Sequence, residues 1–114
     1  MYAQLTYFDG PRSPELIAAM ERANRDRIEP AILARPDLRD DLVAAHTLLR
    51  PDGGEIVLVI VQHEDTLDKA FEVVMGTELP PGEDPALLPG PDRVERYEVV
   101  RTTTASSTVA AAHS

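Results

Sequence analysis

The chain has 114 residues, a formal charge of −9 and no cysteine. Its length suits one hydrophobic core, and 43% hydrophobic with 27% charged residues is the composition of a folded domain, not a disordered one. The acidic balance works against nucleic-acid or anionic-membrane partners, and the missing cysteines exclude disulfides, thiolate catalysis and thiolate metal sites.

Aromatic residues make up 4% of the chain, so the core has to come from Val, Leu, Ile and Ala. The longest apolar run, Ile56 to Val61, is far too short to span a bilayer. A strand-like pattern begins at Tyr2, with no room before it for a signal peptide, so the expected location is the cytoplasm. Lys69 is the only lysine, and this Arg-dominated basic set points to a GC-rich bacterial genome.

In chain order, Tyr2 to Phe8 is rich in β-formers and reads as a strand, closed by Asp9-Gly10-Pro11. Ser13 before Pro14 is a helix start, a capping hydroxyl followed by proline in the first turn. Leu16, Ile17, Met20, Ala23 and Ile28 keep helical spacing, which predicts a helix to about Glu29. On it, Arg22, Arg25 and Arg27 alternate with Glu21, Asp26 and Glu29, the pattern of a solvated face. Pro30 either stops this helix or opens a short turn to Ala34, which Pro36 closes.

Leu42 to Leu49 predicts a second strand and Glu55 to Gln62 a third, joined through Pro51-Asp52-Gly53-Gly54. An Asp52-Gly53 two-residue turn would set Val59 opposite His46. Leu42, Ala44, His46 and Leu48 would then share a face with Val57, Val59 and Val61. Asp65, with Asp68 three residues on, predicts the start of a second helix that Gly76 ends. Thr77 to Asp92, dense in Pro, Gly and acid, reads as a surface loop, and Val94 to Thr102 as the fourth strand. The small, polar tail 103–114 reads as disordered.

The order β-α-β-β-α-β predicts an α+β fold over residues 1–102. This is the ferredoxin-like split-βαβ sandwich, a four-stranded antiparallel sheet with both helices on one face. Ile56 to Val61 is apolar on both sides of its strand, and two helices cover only one. Leaving the other side wet forgoes roughly 1.5–3 kcal/mol per fully buried Val or Leu, against a domain stability of roughly 5–15 kcal/mol. The expected remedy is a homodimer through the open sheet face. The other remedy is a lid made from the acidic loop or the tail.

Three stretches then resemble the antibiotic biosynthesis monooxygenase-like family of dimeric α+β barrels. They are Ala34-Arg35-Pro36-Asp37-Leu38-Arg39-Asp40 before strand two, Leu49-Arg50-Pro51-Asp52-Gly53-Gly54-Glu55 at the hairpin, and Val94-Glu95-Arg96-Tyr97-Glu98-Val99-Val100 in the last strand. The resemblance spans about residues 2 to 102. It implies a dimeric barrel with a small apolar pocket between helices and sheet. For function it implies a cofactor-independent monooxygenase, or a related enzyme, acting on a small aromatic molecule. The alternative is a non-catalytic dimer that binds a small ligand or serves as an accessory protein. His63 stands where many relatives carry tryptophan. The haem-degrading branch uses asparagine, tryptophan and histidine together, and this chain has no tryptophan.

Without a Gly-rich phosphate loop, no nucleotide cofactor is expected. Nor is a metal: in the hairpin register above, His46 and His63 lie roughly 13 Å apart, at about 3.3 Å per residue, and cannot share one ion. His113 falls in the tail. Cofactor-free oxygenation needs a base, an oxyanion partner and a dry pocket. His63 and His46 are the candidate bases. Tyr7 and Tyr97 are candidates to hydrogen-bond a substrate, and Arg27 and Arg96 to hold an oxyanion. Each has a plainer reading: His46 as a packed or interface residue, His63 as a surface residue, the tyrosines as bridges from core to water, and the arginines as partners of acids such as Glu95 or Glu98.

Overall fold

A computed structural model describes residues 1–76 and 90–105. In chain order they form β1 (Tyr2–Phe8), α1 (Pro14–Ala23), a π-turn (Asn24–Ile28), α2 (Glu29–Leu33), α3 (Pro36–Arg39), β2 (Leu42–Leu49), β3 (Glu55–Val61), α4 (Glu64–Met75) and β4 (Arg93–Glu98). The sheet has the order β2-β3-β1-β4, and every neighbouring pair is antiparallel. The expected α+β architecture is present.

α1 starts as its sequence indicates, with Ser13 Oγ accepting from the Leu16 amide at 3.2 Å and Pro14 in the first turn. Its end does not. Pro30 neither stops the helix nor begins a detached turn; the chain stays helical from Pro14 to Leu33 through the π-turn. Proline has no N–H and crowds the carbonyl four residues back. The wider turn absorbs that misfit: the Glu29 N–H bonds five residues back, to the Asn24 carbonyl. Pro36 is likewise a beginning, sitting in the first turn of α3, whose Leu38 is 2% exposed.

The β2–β3 hairpin differs from the expected two-residue turn. The Arg50 N–H donates to the Gly54 carbonyl at 2.7 Å and the Gly53 N–H to the Arg50 carbonyl at 3.0 Å, leaving Pro51, Asp52 and Gly53 as a three-residue loop. Gly53 has φ +91°, a left-handed position that favours glycine. A two-residue turn would put Pro51 in the ladder, where its missing N–H could not bond. The register therefore moves by one residue, and His46 pairs with Leu58, not Val59. Such a slip exchanges faces. Ala45 and Thr47 join Val57 and Val59, while Ala44, His46 and Leu48 join Ile56, Leu58 and Ile60. A bulge between Leu42 and Ala44 brings Leu42 opposite Val61.

The helices cover the face that carries Gln4, Val57, Val59 and Arg96; Arg96 reaches α4, donating to Asp68 at 3.1 Å. Ala19, Met20, Ala23, Leu38, Val61 and Leu67 form the buried core between the layers. Ala3, Leu5, Tyr7, Ile56, Leu58 and Ile60 stand on the other face, away from every helix among the described residues. The expected two-sided apolar character of β3 is retained through the change of register.

α4 begins at Glu64, with His63 as its cap residue; Asp65, the expected cap, lies inside the first turn. β3 ends at Val61, one residue early. β4 also ends early, at Glu98 instead of Thr102. Its neighbour β1 begins at Tyr2, so the last rung is the Val99 N–H to the Met1 carbonyl, 2.8 Å. Of the expected surface loop Thr77 to Asp92, residues 77–89 lie outside the described residues. Asp92 is held, its amide on the Tyr7 carbonyl at 2.8 Å and its Oδ2 taking the Asp9 amide at 2.6 Å. In the tail, 106–114 lie outside the described residues, and Thr103 to Ala105 are exposed without regular structure.

Candidate functional site

Between the helices and the sheet is a cavity of about 390 Å³. β3 supplies Val57, Val59 and Val61, β2 supplies Leu42 and the stretch Ala45–Thr47, and α4 supplies Leu67, Ala70 and Phe71. Ile28, Ile32 and Leu38 complete it from the first helical layer. Its polar groups are few: Gln4 on the sheet, Asn24 and Glu29 on the helices, His46 and Thr47 on β2 and Thr66 on α4. Such a chamber, apolar with scattered hydrogen-bonding groups, is the common form of a small-molecule site.

The expected site residues fall in four places. His46 borders the cavity between Ala45 and Thr47, while its pairing with Leu58 puts it in the side-chain row of the open sheet face. Tyr7 and Tyr97 also belong to the open face. There the Arg93 guanidinium lies 3.9 Å from the centre of the Tyr7 ring, a cation–π contact, and Tyr97 is 52% exposed. Arg27 lies in the π-turn and is already engaged in an interaction there. Arg96 is on the helix side, donating to Gln4 Oε1 at 3.0 Å and paired with Glu64 and Asp68 of α4. Its partners are acids, though on α4 and not Glu95 or Glu98.

His63 does not line the cavity. Its ring Nδ1 is 2.6 Å from Asp41 Oδ1, and its backbone N–H donates to Asp41 Oδ2 at 3.0 Å. The same Oδ2 accepts from the Thr66 hydroxyl at 2.6 Å. Burial alone would raise the Asp41 carboxyl; the hydrogen bonds from Thr66 and from the His63 ring and backbone outweigh it and bring the pKa down to about 2. Asp41 thus fastens the start of β2 to the start of α4, one residue from the cavity wall at Thr66. Among the described residues, no group of three His, Asp or Glu side chains could hold a metal ion.

A solved structure of similar fold matches the chain along nearly its whole length. The chain covers 92% of this dimeric ferredoxin-like protein from an uncultured marine organism and is covered to 92% by it, with a TM-score of 0.62 and 11% sequence identity. The fold is ferredoxin-like. No protein-family profile matches the chain, and no curated protein does. No helix among the described residues is long and apolar enough to cross a membrane.

Within this ferredoxin-like frame, several residues matter that sequence reasoning passed over. Asp41 carried one signal, an acid just before a predicted strand. Arg93 is the first residue of the last strand and gave none; its place over Tyr7 depends on the β1–β4 register. Arg12 is the least legible. Its side chain is 5% exposed, 3.8 Å from the equally buried Glu55 carboxylate and 5.5 Å from the Phe8 ring centre. None of its three guanidinium nitrogens has a hydrogen-bond partner among the described residues. Burial, countered by Arg12, pushes the Glu55 carboxyl above the usual carboxylate range.

Proposed function

We propose that this protein is a homodimeric binding domain that holds one small apolar or aromatic molecule in each subunit, between the helices and the sheet. The observation that carries the reading is the cavity of about 390 Å³ with Val, Leu, Ile and Phe walls. It is the right size for a one- or two-ring ligand. Binding is favoured over catalysis by its chemistry. Among the described residues Glu29 is the one acid in the lining, and the side chain of His46 belongs to the opposite row. The His63–Asp41 pair, the best-formed acid–base couple among the described residues, is outside it.

The dimer is supported by the open face. Leu5, Ile56, Leu58 and Ile60 form an apolar surface with no helix above it among the described residues, and burying it against a second copy is the simplest way to remove it from water. The dimeric state of the similar marine protein agrees with this. The resemblance to the antibiotic biosynthesis monooxygenase-like family adds the expectation of an aromatic ligand, with cofactor-free oxygenation as the catalytic alternative.

Fluorescence titration with N-phenyl-1-naphthylamine tests the binding reading. The full chain should bind one probe per subunit, and Ala70→Trp, which fills the cavity from α4, should abolish binding while leaving the circular-dichroism spectrum intact. Equal binding by both proteins would place the probe elsewhere and overturn the assignment. Oxygen-electrode measurements with a panel of hydroxynaphthalenes then decide the chemistry. Uptake by the wild type that His46→Ala or His63→Ala removes would replace the binding reading with the oxygenase one.

A further inference from the structure

Gln4 stands near the middle of β1, in a row that crosses the sheet as Arg96, Gln4, Val59 and Ala45. The last three line the cavity; Arg96, on the edge strand, does not. A glutamine therefore sits where the charged end of the row meets the apolar chamber.

Arg96 decides which way the Gln4 amide faces. A guanidinium has donors and no acceptor, so the atom it meets at 3.0 Å has to be the carbonyl oxygen Oε1. Oxygen and nitrogen occupy opposite arms of the planar amide, so Nε2 turns away from β4, toward the cavity that Gln4 lines. The guanidinium is itself held by α4: Nη2 also donates to Asp68 Oδ1 at 3.1 Å, and Nη1 lies 3.7 Å from Glu64 Oε2. A freely flipping amide would offer a ligand either an oxygen or an N–H. This one offers the N–H. Thr66 is fixed in the opposite sense, since its hydroxyl donates to Asp41 Oδ2 at 2.6 Å and leaves lone pairs for the cavity.

We infer that Gln4, positioned by Arg96, chooses the ligand, and that the ligand is a neutral molecule whose carbonyl oxygen (ketone, aldehyde or ester) accepts from Gln4 Nε2. The inference rests on the cavity reading proposed above. A hydrocarbon of the same shape would take the Nε2 hydrogens out of water and give them no acceptor, which costs binding energy. An anion fares badly for a different reason. Among the described residues the lining contains Glu29 and no Lys or Arg, and the Arg96 charge is matched by Asp68 and Glu64. A carboxylate or phenolate would enter without a counter-charge.

Competition against bound N-phenyl-1-naphthylamine tests this with three ligands of one shape: 2-acetylnaphthalene, 2-isopropenylnaphthalene, in which CH2 replaces the carbonyl oxygen, and 2-naphthoate. The full chain should bind the ketone at least about fivefold more tightly than either of the others. The ratio of ketone to alkene inhibition constants cancels any change in probe affinity, so it can be compared between variants. Gln4→Leu should bring that ratio to about one. Arg96→Met, which lets the amide flip, should lower it, and Arg96→Lys, again a donor without an acceptor, should keep it. Circular dichroism checks that each variant is folded. A wild type that fails to bind the probe, or binds it equally well after Ala70→Trp, overturns the cavity reading and this inference together. A probe that binds in the cavity while ketone and alkene compete equally, or a preference that survives Gln4→Leu, overturns the inference alone. A ratio unchanged in Arg96→Met removes Arg96 from its positioning role.

Discussion

Asp41 and His63 are 22 residues apart in sequence and 2.6 Å apart in space, joined between a carboxylate oxygen and a ring nitrogen. The contact ties the beginning of an edge strand to the beginning of the helix that roofs the cavity. The strand β2 and the helix α4 therefore depend on one carboxylate for their relative position.

That carboxylate gives a pH-dependent prediction. Asp41 has a folded pKa lowered from 3.8 to about 2. A depressed acid contributes stability that is present above its unfolded pKa and disappears as pH falls through the folded one. Asp41→Asn should cost about 1–2 kcal/mol at neutral pH, the loss of charge-assisted hydrogen bonds. In urea titrations run at a series of pH values, the gap between wild type and variant should be constant above about pH 4 and close by about pH 2. A gap that persists in acid would mean that the carboxylate charge is not what matters.

The buried Arg12–Glu55 pair predicts a non-additive double mutant. Removing Arg12 alone leaves the Glu55 carboxyl, 6% exposed, without its counter-charge, so Arg12→Met should destabilise by about 3–5 kcal/mol. The combination Arg12→Met with Glu55→Leu replaces the pair by apolar contacts near Phe8 and should regain most of that loss. Thermal denaturation of the two single variants and the double variant measures the coupling. Simple additivity would show that the two side chains do not act as a pair.

Gly53 should not tolerate a side chain. It has φ +91°, and a Cβ there would meet the Arg12 carbonyl oxygen at 2.5 Å, with no flexible side chain able to yield. Gly53→Ala should cost about 1–3 kcal/mol. Gly90→Ala, where a Cβ meets nothing within 4 Å, should be close to neutral and serves as the control. Denaturant midpoints of the two variants give the comparison.

The open sheet face predicts what a charge at its centre does. Leu58 lies between Leu5 on β1 and His46 on β2, on the side without helices. Leu58→Asp should shift the protein from dimer to monomer at micromolar concentration in sedimentation velocity, since an unpaired buried charge costs several kcal/mol per copy. Val59→Asp points into the core beside Gln4 and should instead unfold the domain. Dimerisation unchanged in Leu58→Asp would place the interface elsewhere.

Element identity and order could be read from local chemistry. Ser13-Pro14 marked one helix start, the β-branched run at Ile56 marked the central strand, and the β-α-β-β-α-β order implied the sheet, because right-handed crossovers leave few alternatives. Those features act over a few residues, so sequence shows them directly. Pro30 misled because its effect depends on whether the helix can widen ahead of it, which Asn24 to Ile28 do. Asp52-Gly53 misled because Pro51, one residue earlier, cannot serve in the ladder.

The fold class and the two-sided apolar character of β3 follow from residue order alone, for a face of Val and Ile stays apolar in any register. The folded register chose which β2 side chains share a face with which β3 side chains, and so that His46 is in the open row and Ala45 and Thr47 meet the cavity. Packing also decided that His63 serves Asp41 and that Arg12 is buried against Glu55. These relations join residues tens of positions apart. They depend on loop closure and one-residue register choices, which local propensity does not encode.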